Sequence, residues 1–420
     1  MSVNNKVPEI RFKGFSGEWA EETLGAVAEI KTGPFGSTLH AKAYVEDGHA
    51  IITTEHFKSG ELPVDKKGIP QVSDDDYLRL KAYLLKVGDI VFSRVGSVDI
   101  NAHVKNKQKG WLFSGRVLRV RSGKIIDSEY LHHELSTSRV KKSVVSRAVG
   151  QTMPSINTEI LKITPIHFPL YTTEQTAIGN YFQKLDSLIN QHQQKHDKLS
   201  NIKKAMLEKM FPKPGETVPE IRFKGFSGEW VENNLGELID IRSAARVHKE
   251  QWTEAGVPFF RTSDVVSIYK GQENTKAYIS HEIYHGLSEK IGKVTKDDLL
   301  ITGGGSIGIP YLVPNDSPLY FKDADLLWLK NNEKFNGYFL YTFFFSVSFK
   351  QHIKSISHTG TIAHYTIEQA KATPINTCSD EEQTAIGNYF QKLDALINQH
   401  QQQIAKLNNI KQACLSKMFI

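Results

Sequence analysis

Apolar residues recur at helical spacing in two segments of the chain, Glu174–Phe211 and Glu382–Phe419. Within each segment they alternate at steps of four and three residues, with Gln, Asn and Lys between them. A period of 3.5 residues kept over about four heptads predicts a long helix with a coiled-coil seam. At 1.5 Å of rise per residue, each helix would extend roughly 57 Å. We expect the core of this coiled coil to contain Ile178, Phe182, Leu185, Ile189 and Leu199 from the first helix, and Ile386, Phe390, Leu393, Ile397, Ile404 and Leu407 from the second.

The regions that separate these helices contain shorter apolar runs bounded by turn residues. Ile90–Ser93 and Val117–Val120 have the length and the β-branched content of strands. Longer patterns predict helices near Ser128–Arg147 and Asn336–Lys354. Strands and helices mixed in this way indicate an α+β fold.

The chain is an internal duplication, which has to be recognised before its fold is judged. VPEIRFKGFSGEW stands at Val7–Trp19 and again, letter for letter, at Val218–Trp230, and the two helical segments are identical at 30 of 38 positions. We therefore divide the chain into a repeat box at 1–19, a first variable domain at 20–173, a helical spacer at 174–211, a linker with the second box at 212–230, a second variable domain at 231–381 and a second helical spacer at 382–420.

The two variable domains differ in most side chains but share turn residues and apolar positions. Asp89–Ser97 aligns with Asp298–Ser306, and Tyr130–Leu131 aligns with Tyr338–Phe339. We infer two copies of one α+β fold. Because like repeats usually pack about a pseudo-twofold axis, we expect the two helices to pair antiparallel and to hold two similar recognition domains at a fixed separation.

Composition limits the class of protein. With 420 residues, 40% apolar and 23% charged, the chain has enough apolar residues for more than one core. Its two cysteines, Cys378 and Cys414, are too few for a disulfide framework or a thiolate metal cluster, which favours a reducing compartment. The most apolar stretch, Tyr338–Phe349, has 12 residues and is too short to span a bilayer. We expect a cytoplasmic protein with no membrane partner.

Basic residues concentrate in the first variable domain. From Lys105 to Arg147 there are 11 Lys and Arg residues against three acidic ones, in a chain of net charge +6. Such a run is typical of a surface that contacts phosphate groups, although solvated faces show the same pattern. The second variable domain has 15 basic and 18 acidic residues, so its composition gives no such indication.

Several short motifs occur in a fixed order along the chain. They are IRFKGFSGEW followed by Leu-Gly, the Gly-Asp-Ile-Val-x-Ser-Arg run at Gly88–Arg94, GQTMP at Gly150–Pro154, GGGSIG at Gly303–Gly308 and EEQTAIGNYFQKLD at Glu381–Asp394. No single motif is decisive, but in this order the whole chain resembles the specificity (S) subunits of type I restriction–modification systems.

The resemblance implies a non-catalytic subunit that reads double-stranded DNA. In such systems each variable domain reads one half of a bipartite site, while the helices space the two halves and dock two modification (M) subunits. The M subunits bind S-adenosylmethionine and methylate adenine, and restriction (R) subunits, held through the M subunits, add ATP-driven translocation and cleavage. The chain contains neither an Asn-Pro-Pro-Tyr motif nor a G-x-x-x-x-G-K-[ST] phosphate loop. We therefore expect S-adenosylmethionine, ATP and Mg²⁺ on the partner subunits and no cofactor on this chain.

Side-chain chemistry selects the candidate DNA contacts. Arg, Lys, Asn and Gln read base edges, Ser, Thr, Lys and Arg contact phosphates, and recognition residues concentrate in loops. The alternative, for about half of the set, is an ordinary turn residue. The candidates in the first variable domain are Lys31, Ser37, Thr53, Thr54, Arg94, Ser97, Lys141, Lys142, Arg147, Gln151, Thr152 and Ser155. Those in the second are Arg242, Arg246, Arg261, Thr262, Ser263, Ser306, Lys350, Lys354, Thr361, His364 and Tyr365.

The run at His281–His285 spells H-E-x-x-H, the signature of zinc proteases. Ile291 stands where the extended form of the motif requires a third His. The first variable domain aligns Ser73–Leu80 with Ser280–Leu287 and keeps the Ser, Tyr and Leu but neither His. We interpret the run as a Ser-capped structural helix and expect no catalytic and no metal site. The alternatives are a coiled-coil adaptor without DNA specificity and a zinc-dependent metallohydrolase that uses His281, Glu282 and His285.

Overall fold

The computed structural model describes residues 6–34, 38–39, 44–356 and 364–420. Contacts divide the chain into two units. Unit 1 contains the described residues up to His192 together with Gln402–Ile420, and unit 2 contains Gln193–Gln401. Each unit therefore combines one variable domain with parts of both long helices.

Unit 1 contains short strands and helices followed by one long helix. Its strands are β1 (Ala20–Thr23), β2 (Ala28–Thr32), β3 (Tyr44–Val45), β4 (His49–Ile52), β5 (Gln71–Val72), β6 (Asp89–Ser93), β7 (Asn101–His103), β8 (Leu112–Phe113), β9 (Val117–Ser122) and β10 (Pro165–Phe168). Its helices are α1 (Leu24–Val27), α2 (Asp74–Arg79), α3 (Ser128–Glu134), α4 (Ser138–Val145), α5 (Thr158–Lys162) and the first half of α6 (Thr172–Lys209).

The strands that the structure describes in unit 1 form three small sheets. β2-β9-β6-β7 is antiparallel, β3-β5-β4-β8 is mixed because β4 and β8 run parallel, and β1 pairs with β10. In the first of these sheets Ile90 lies opposite Val120 on one side and His103 on the other. All five residues of β6 are buried, which explains why this central strand reads as an apolar run. The strands predicted from the sequence are confirmed.

Unit 2 repeats this arrangement. Its strands are β11 (Val231–Asn234), β12 (Asp240–Arg242), β13 (Trp252–Thr253), β14 (Val257–Phe260), β15 (Tyr278–Ile279), β16 (Leu299–Thr302), β17 (Pro310–Leu312), β18 (Tyr320–Phe321), β19 (Leu326–Lys330) and β20 (Pro374–Thr377). They pair as β12-β19-β16-β17, β13-β15-β14-β18 and β11-β20, the same topology as in unit 1. Its helices are α7 (Leu235–Leu238), α8 (Thr262–Lys270), α9 (His281–Ile291), α10 (Gly337–Phe343), α11 (Val347–Ile356), α12 (Ile367–Lys371) and the first half of α13 (Asp380–Lys417). The prediction of two copies of one α+β fold is confirmed.

Two helices that the sequence predicted as continuous are each broken in two. The segment Ser128–Arg147 forms α3 and α4, and the Thr137 side chain accepts the backbone N–H of Val140 to start the second helix. In unit 2, Ser346 accepts the N–H of Phe349 at the break between α10 and α11. A hydroxyl that caps a new helix competes with continuation of the old one.

The start of α3 also corrects the alignment of the repeats. α3 is capped by Asp127 and α10 by Asn336, so Tyr130 corresponds to Phe339 and not to Tyr338. The packing agrees, because the ring of Tyr130 lies 5.9 Å from that of Trp19 and the ring of Phe339 lies 5.9 Å from that of Trp230.

The long helices α6 and α13 pair antiparallel. In unit 1, Tyr181 and Asp186 of α6 meet Cys414 and Lys411 of α13, so the two segments run in opposite directions. Among the predicted seam positions, Ile178, Phe182, Leu185, Ile386, Phe390, Leu393 and Ile404 are buried, while Ile189, Leu199, Ile397 and Leu407 are half-buried. The predicted coiled coil is confirmed. Within the described residues, no helix is both long and apolar enough to cross a membrane.

The repeat boxes fold against these helices. The Arg11 guanidinium donates to both carboxylate oxygens of Glu174 at 2.6 and 2.7 Å, and Arg222 does the same to Glu382 at 2.6 Å. Both glutamates are buried at the start of a long helix. A bidentate pair of this kind fixes orientation as well as contact.

Unit 1 depends on the last residues of the chain. Phe419 is 5% exposed, and its ring lies 5.4 Å from that of Tyr130, 5.6 Å from that of Phe182 and 6.3 Å from that of Trp19.

Phe419→Ala should therefore destabilise unit 1 by about 3–5 kcal/mol, because it leaves a cavity in the core. Leu188→Ala on α6 removes a side chain that is 43% exposed and should change stability by less than about 0.5 kcal/mol. Denaturant unfolding followed by fluorescence measures both variants. Equal effects in the two would show that Phe419 does not hold the core.

Candidate nucleic-acid interface

Two loops of unit 1 are hydrogen-bonded to each other and form one surface. We call residues 94–100 and 147–157 loop pair 1. Gly96 N–H donates to the Pro154 carbonyl at 2.8 Å, and Ile156 N–H donates to that of Arg94 at 2.9 Å. The sequence candidates that this pairing brings together are Arg94, Ser97, Arg147, Gln151, Thr152 and Ser155.

The candidates of loop pair 1 differ in how far their side chains are available. Ser97, Gln151 and Thr152 are exposed, whereas Ser155 is half-buried and pairs with Val149. The Arg94 guanidinium donates to the carbonyls of Ile156 at 3.2 Å and Gly115 at 3.0 Å. The half-buried Arg94 side chain therefore helps to hold the loops in place.

Lys141 and Lys142 lie on α4, which ends just before the second loop of loop pair 1, and Arg147 is the first residue of that loop. Lys142 and Arg147 are exposed and Lys141 is half-buried. Arg116 is also exposed, and its carbonyl accepts the N–H of Arg94 at 3.0 Å. Sequence reasoning counted Arg116 in the basic run but did not select it as a contact, because its approach to Arg94 is a tertiary feature.

The basic run contributes less surface charge than its composition indicates. Arg119 is buried against Glu29 at 2.5 Å, and Arg139 pairs with Glu134. Arg121 donates to both oxygens of Asp89 at 2.6 Å, and this hydrogen bonding raises the pKa of Arg121. Lys105 is exposed but lies 3.6 Å from a carboxylate oxygen of Glu61. Ion pairs inside unit 1 thus use part of the run, and the exposed basic residues that remain are Lys107, Lys109, Arg116, Lys124, Lys142 and Arg147.

Other candidates of unit 1 make internal contacts. Lys31 donates to the Ala82 carbonyl at 3.0 Å and lies over the ring of Tyr83. Thr53 begins the turn at Thr54–Phe57, where its N–H donates to Nδ1 of His56 at 3.0 Å. Thr54 is half-buried in that turn. Ser37, like Thr361 in the second domain, lies outside the described residues.

Unit 2 forms the equivalent loop pair. We call residues 303–308 and 364–366 loop pair 2. Tyr365 N–H donates to the Gly303 carbonyl at 2.8 Å, and Gly304 bridges to His364. A Cβ on Gly303 would lie 2.9 Å from the Tyr365 carbonyl oxygen, so close backbone approach excludes a side chain where unit 1 has Arg94. Ser306 and His364 are exposed in this pair.

The prediction that Tyr365 contacts DNA is wrong. Tyr365 is 1% exposed, and its hydroxyl pairs with the Thr373 hydroxyl at 2.5 Å. Burial raises its pKa, so it remains a neutral phenol in the core. Residue type selected it, but the side chain is not available to a ligand.

Some of the remaining candidates of unit 2 make internal hydrogen bonds, and the others are exposed. The Arg261 guanidinium donates to both oxygens of Asp264 at 2.8 and 3.0 Å, which raises the pKa of Arg261. Thr262 donates to the Asp325 carbonyl at 3.2 Å, and the exposed Ser263 accepts from Asn274 at 3.1 Å. The other exposed candidates are Arg242, which pairs with Asp240, and Arg246, Lys350 and Lys354.

The H-E-x-x-H run lies on α9 and faces solvent. Ser280 caps the helix by accepting the N–H of Ile283 at 3.2 Å, and Tyr284 packs inward at 4% exposed. His281, Glu282 and His285 are all exposed. The interpretation as a Ser-capped structural helix agrees with this packing.

Comparison with known proteins places these features in a family. The chain matches the family model described as "Type I restriction modification DNA specificity domain" twice, over residues 16–201 and 227–409.

Curated relatives and a solved structure carry related descriptions. The chain is 24% identical over 256 residues to the "Type I restriction enzyme MjaVIII specificity subunit" of Methanocaldococcus jannaschii, a match that spans 59% of either protein. It is 24% identical over 370 residues to a second M. jannaschii protein, provisionally described as the MjaX specificity subunit, with 83% of this chain and 81% of that one covered. The crystal structure of a type I restriction–modification S subunit from M. genitalium has the same fold, with a TM-score of 0.62 at 17% identity over 99% of both chains.

The two family matches fall on the two copies of the fold and each contains one of the loop pairs. The chain therefore belongs to the type I restriction–modification DNA specificity family.

Proposed function

We propose that this chain is the DNA-reading subunit of a type I restriction–modification complex and that each unit reads one half of a bipartite, asymmetric DNA site. The observation that carries the proposal is the equivalence of loop pair 1 and loop pair 2. Each is built on the corresponding sheet of its unit, but the two are lined with different side chains. Two domains that share a backbone fold but differ in their contacting side chains are expected to bind two different DNA sequences.

The side chains of the loop pairs support two different half-sites. Arg94 of unit 1 stands where unit 2 has Gly303, and Ser155 stands where unit 2 has His364. An arginine side chain can donate to a base edge, whereas glycine has no side chain to do so. Ser97 and Ser306 are equivalent in the two units and suit phosphate contacts, which position without specifying sequence.

The repeated boxes and helices support the rest of the assembly. Their near identity in both copies suits two copies of one partner, which we take to be the M subunits, with R subunits held through them. S-adenosylmethionine, ATP and Mg²⁺ would be bound by those partners. The chain alone would neither methylate nor cut DNA.

A domain exchange tests the reading of half-sites. Replacing residues 231–381 by the second variable domain of another family member should change one half of the methylated motif and leave the other half and the gap unchanged, because loop pair 1 and both helices are retained. Long-read detection of methylated adenine in a host that supplies the M subunit measures the motif. A contiguous parent motif, or an exchange that altered both halves, would overturn the proposal.

A charge variant tests the surface next to loop pair 1. Lys142→Ala with Arg147→Ala should weaken DNA binding and reduce the slope of log K against log salt by about 2, because each phosphate that a basic side chain neutralises adds about 0.9 to that slope. Lys195→Ala with Lys198→Ala removes two exposed lysines of α6 and should leave the slope unchanged. Fluorescence anisotropy over a range of salt concentrations measures both. If the slope fell equally in the two variants, the effect would come from the overall charge of the protein and not from a defined DNA-binding surface.

A further inference from the structure

A buried polar cluster lies in unit 1 where α3 packs against α6. One ligand atom each of His132, His133 and Asp186 lies within 4.8 Å of the others. His133 is fully buried and His132 is 8% exposed. Neither loop pair 1 nor the basic surface beside it uses these side chains.

His133 is the unusual member of the cluster. Among the residues that the structure describes, none lies within hydrogen-bond distance of either ring nitrogen. Its Nε2 lies 4.0 Å from Oδ2 of Asp186 and 3.6 Å from Oε1 of Glu129. A buried polar group without a partner is costly, so a fully buried imidazole directed at two carboxylates points to a ligand between them.

His132 is oriented as a ligand would be. Its Nδ1 lies 2.6 Å from Oδ1 of Asn101, and the Asn101 amide is fixed because its Nδ2 donates to the Ser136 hydroxyl at 3.1 Å. Nδ1 therefore carries the proton, which leaves the lone pair on Nε2. A neutral imidazole held through its other nitrogen is the usual form of a metal-binding histidine.

Unit 2 provides an internal comparison. In the register set by the helix caps, Tyr341 and Thr342 replace the two histidines, while Asp394 replaces Asp186. Asp394 accepts from Lys203 at 2.5 Å through Oδ1 and from the Tyr338 hydroxyl at 2.7 Å through Oδ2. The lysine–aspartate pair is thus common to both units, and the two histidines are particular to unit 1.

We propose that His132, His133 and Asp186 bind a divalent transition-metal ion, zinc being the ion best suited to two imidazoles and a carboxylate. Lys411 lies 2.5 Å from Oδ1 of Asp186, so Oδ2, which faces His133, is the oxygen available to the ion. Glu129 adds a second carboxylate beside His133, and a bound cation would offset this negative charge. The ion would link α3 to α6 and stabilise unit 1.

Zinc binding to the full-length chain tests the proposal. The chain is stripped with EDTA, dialysed and titrated with zinc chloride in a calorimeter, and bound metal is measured by elemental analysis. The wild type should bind one zinc per chain and should melt at a higher temperature with zinc than with EDTA. His132→Tyr with His133→Thr places the residues of unit 2 at these positions, and it should bind zinc at least ten-fold more weakly.

Two further variants separate the site from other histidines and from misfolding. His281→Ala with His285→Ala removes the exposed pair on α9 and should bind zinc as the wild type does. Asp186→Asn keeps the shape of the side chain and should also weaken binding at least ten-fold. Circular dichroism confirms that each variant is folded. The proposal is overturned if the folded wild type binds no zinc, if the variants at His132, His133 and Asp186 retain it, or if zinc is lost from the α9 variant.

Discussion

In each unit, one aromatic ring just past the end of a long helix completes the core, and the rest of the structure depends on this packing. Phe419 packs against Trp19, Tyr130 and Phe182 in unit 1, and Phe211 packs against the corresponding Trp230, Phe339 and Phe390 in unit 2. Each ring stands just past the end of a long helix whose first residues belong to the other unit. Neither core is complete without a segment from the other half of the sequence.

This constraint explains much of the identity between the repeats. The tryptophan of each box, the arginine that clamps the first turn of a long helix and the phenylalanine after a helix end are all buried or half-buried. Such residues vary little because each fits the others at native packing density. Internal packing therefore accounts for a part of the repeat that the sequence alone would assign to a shared partner. Internal packing does not explain why the exposed residues of the two boxes, such as Lys13 and Lys224, are identical. A shared partner surface would account for that identity.

Sequence periodicity was enough for the long helices and for the duplicated fold. The seam repeats over about four heptads, and one strong signal over that length outweighs local propensities. Periodicity could not show the break at Thr137, because a capping hydroxyl interrupts a helix without changing its apolar stripe. The break sets the direction of α4 and so the position of Lys142 and Arg147.

The candidate site was harder to predict because charge and residue type do not reveal partners that lie far along the chain. Arg119 is paired with Glu29, and Arg121 with Asp89, across 90 and 32 positions. Both arginines looked like surface charge until the sheet brought those carboxylates to them. Tyr365 shows a different limit of residue type. Its chemistry suits a base contact, but its backbone anchors the loop and its ring is buried in the core.

The histidines show most clearly what a linear motif can and cannot indicate. H-E-x-x-H on α9 has the spacing of a zinc site, yet its side chains are exposed on one helix. His132 and His133 are adjacent in sequence and match no motif, because the carboxylate that completes their group comes from another helix. Metal affinity depends on ligands that are desolvated and held in orientation by their neighbours. Those properties arise when α3 packs on α6, and so they become visible only after the chain is folded.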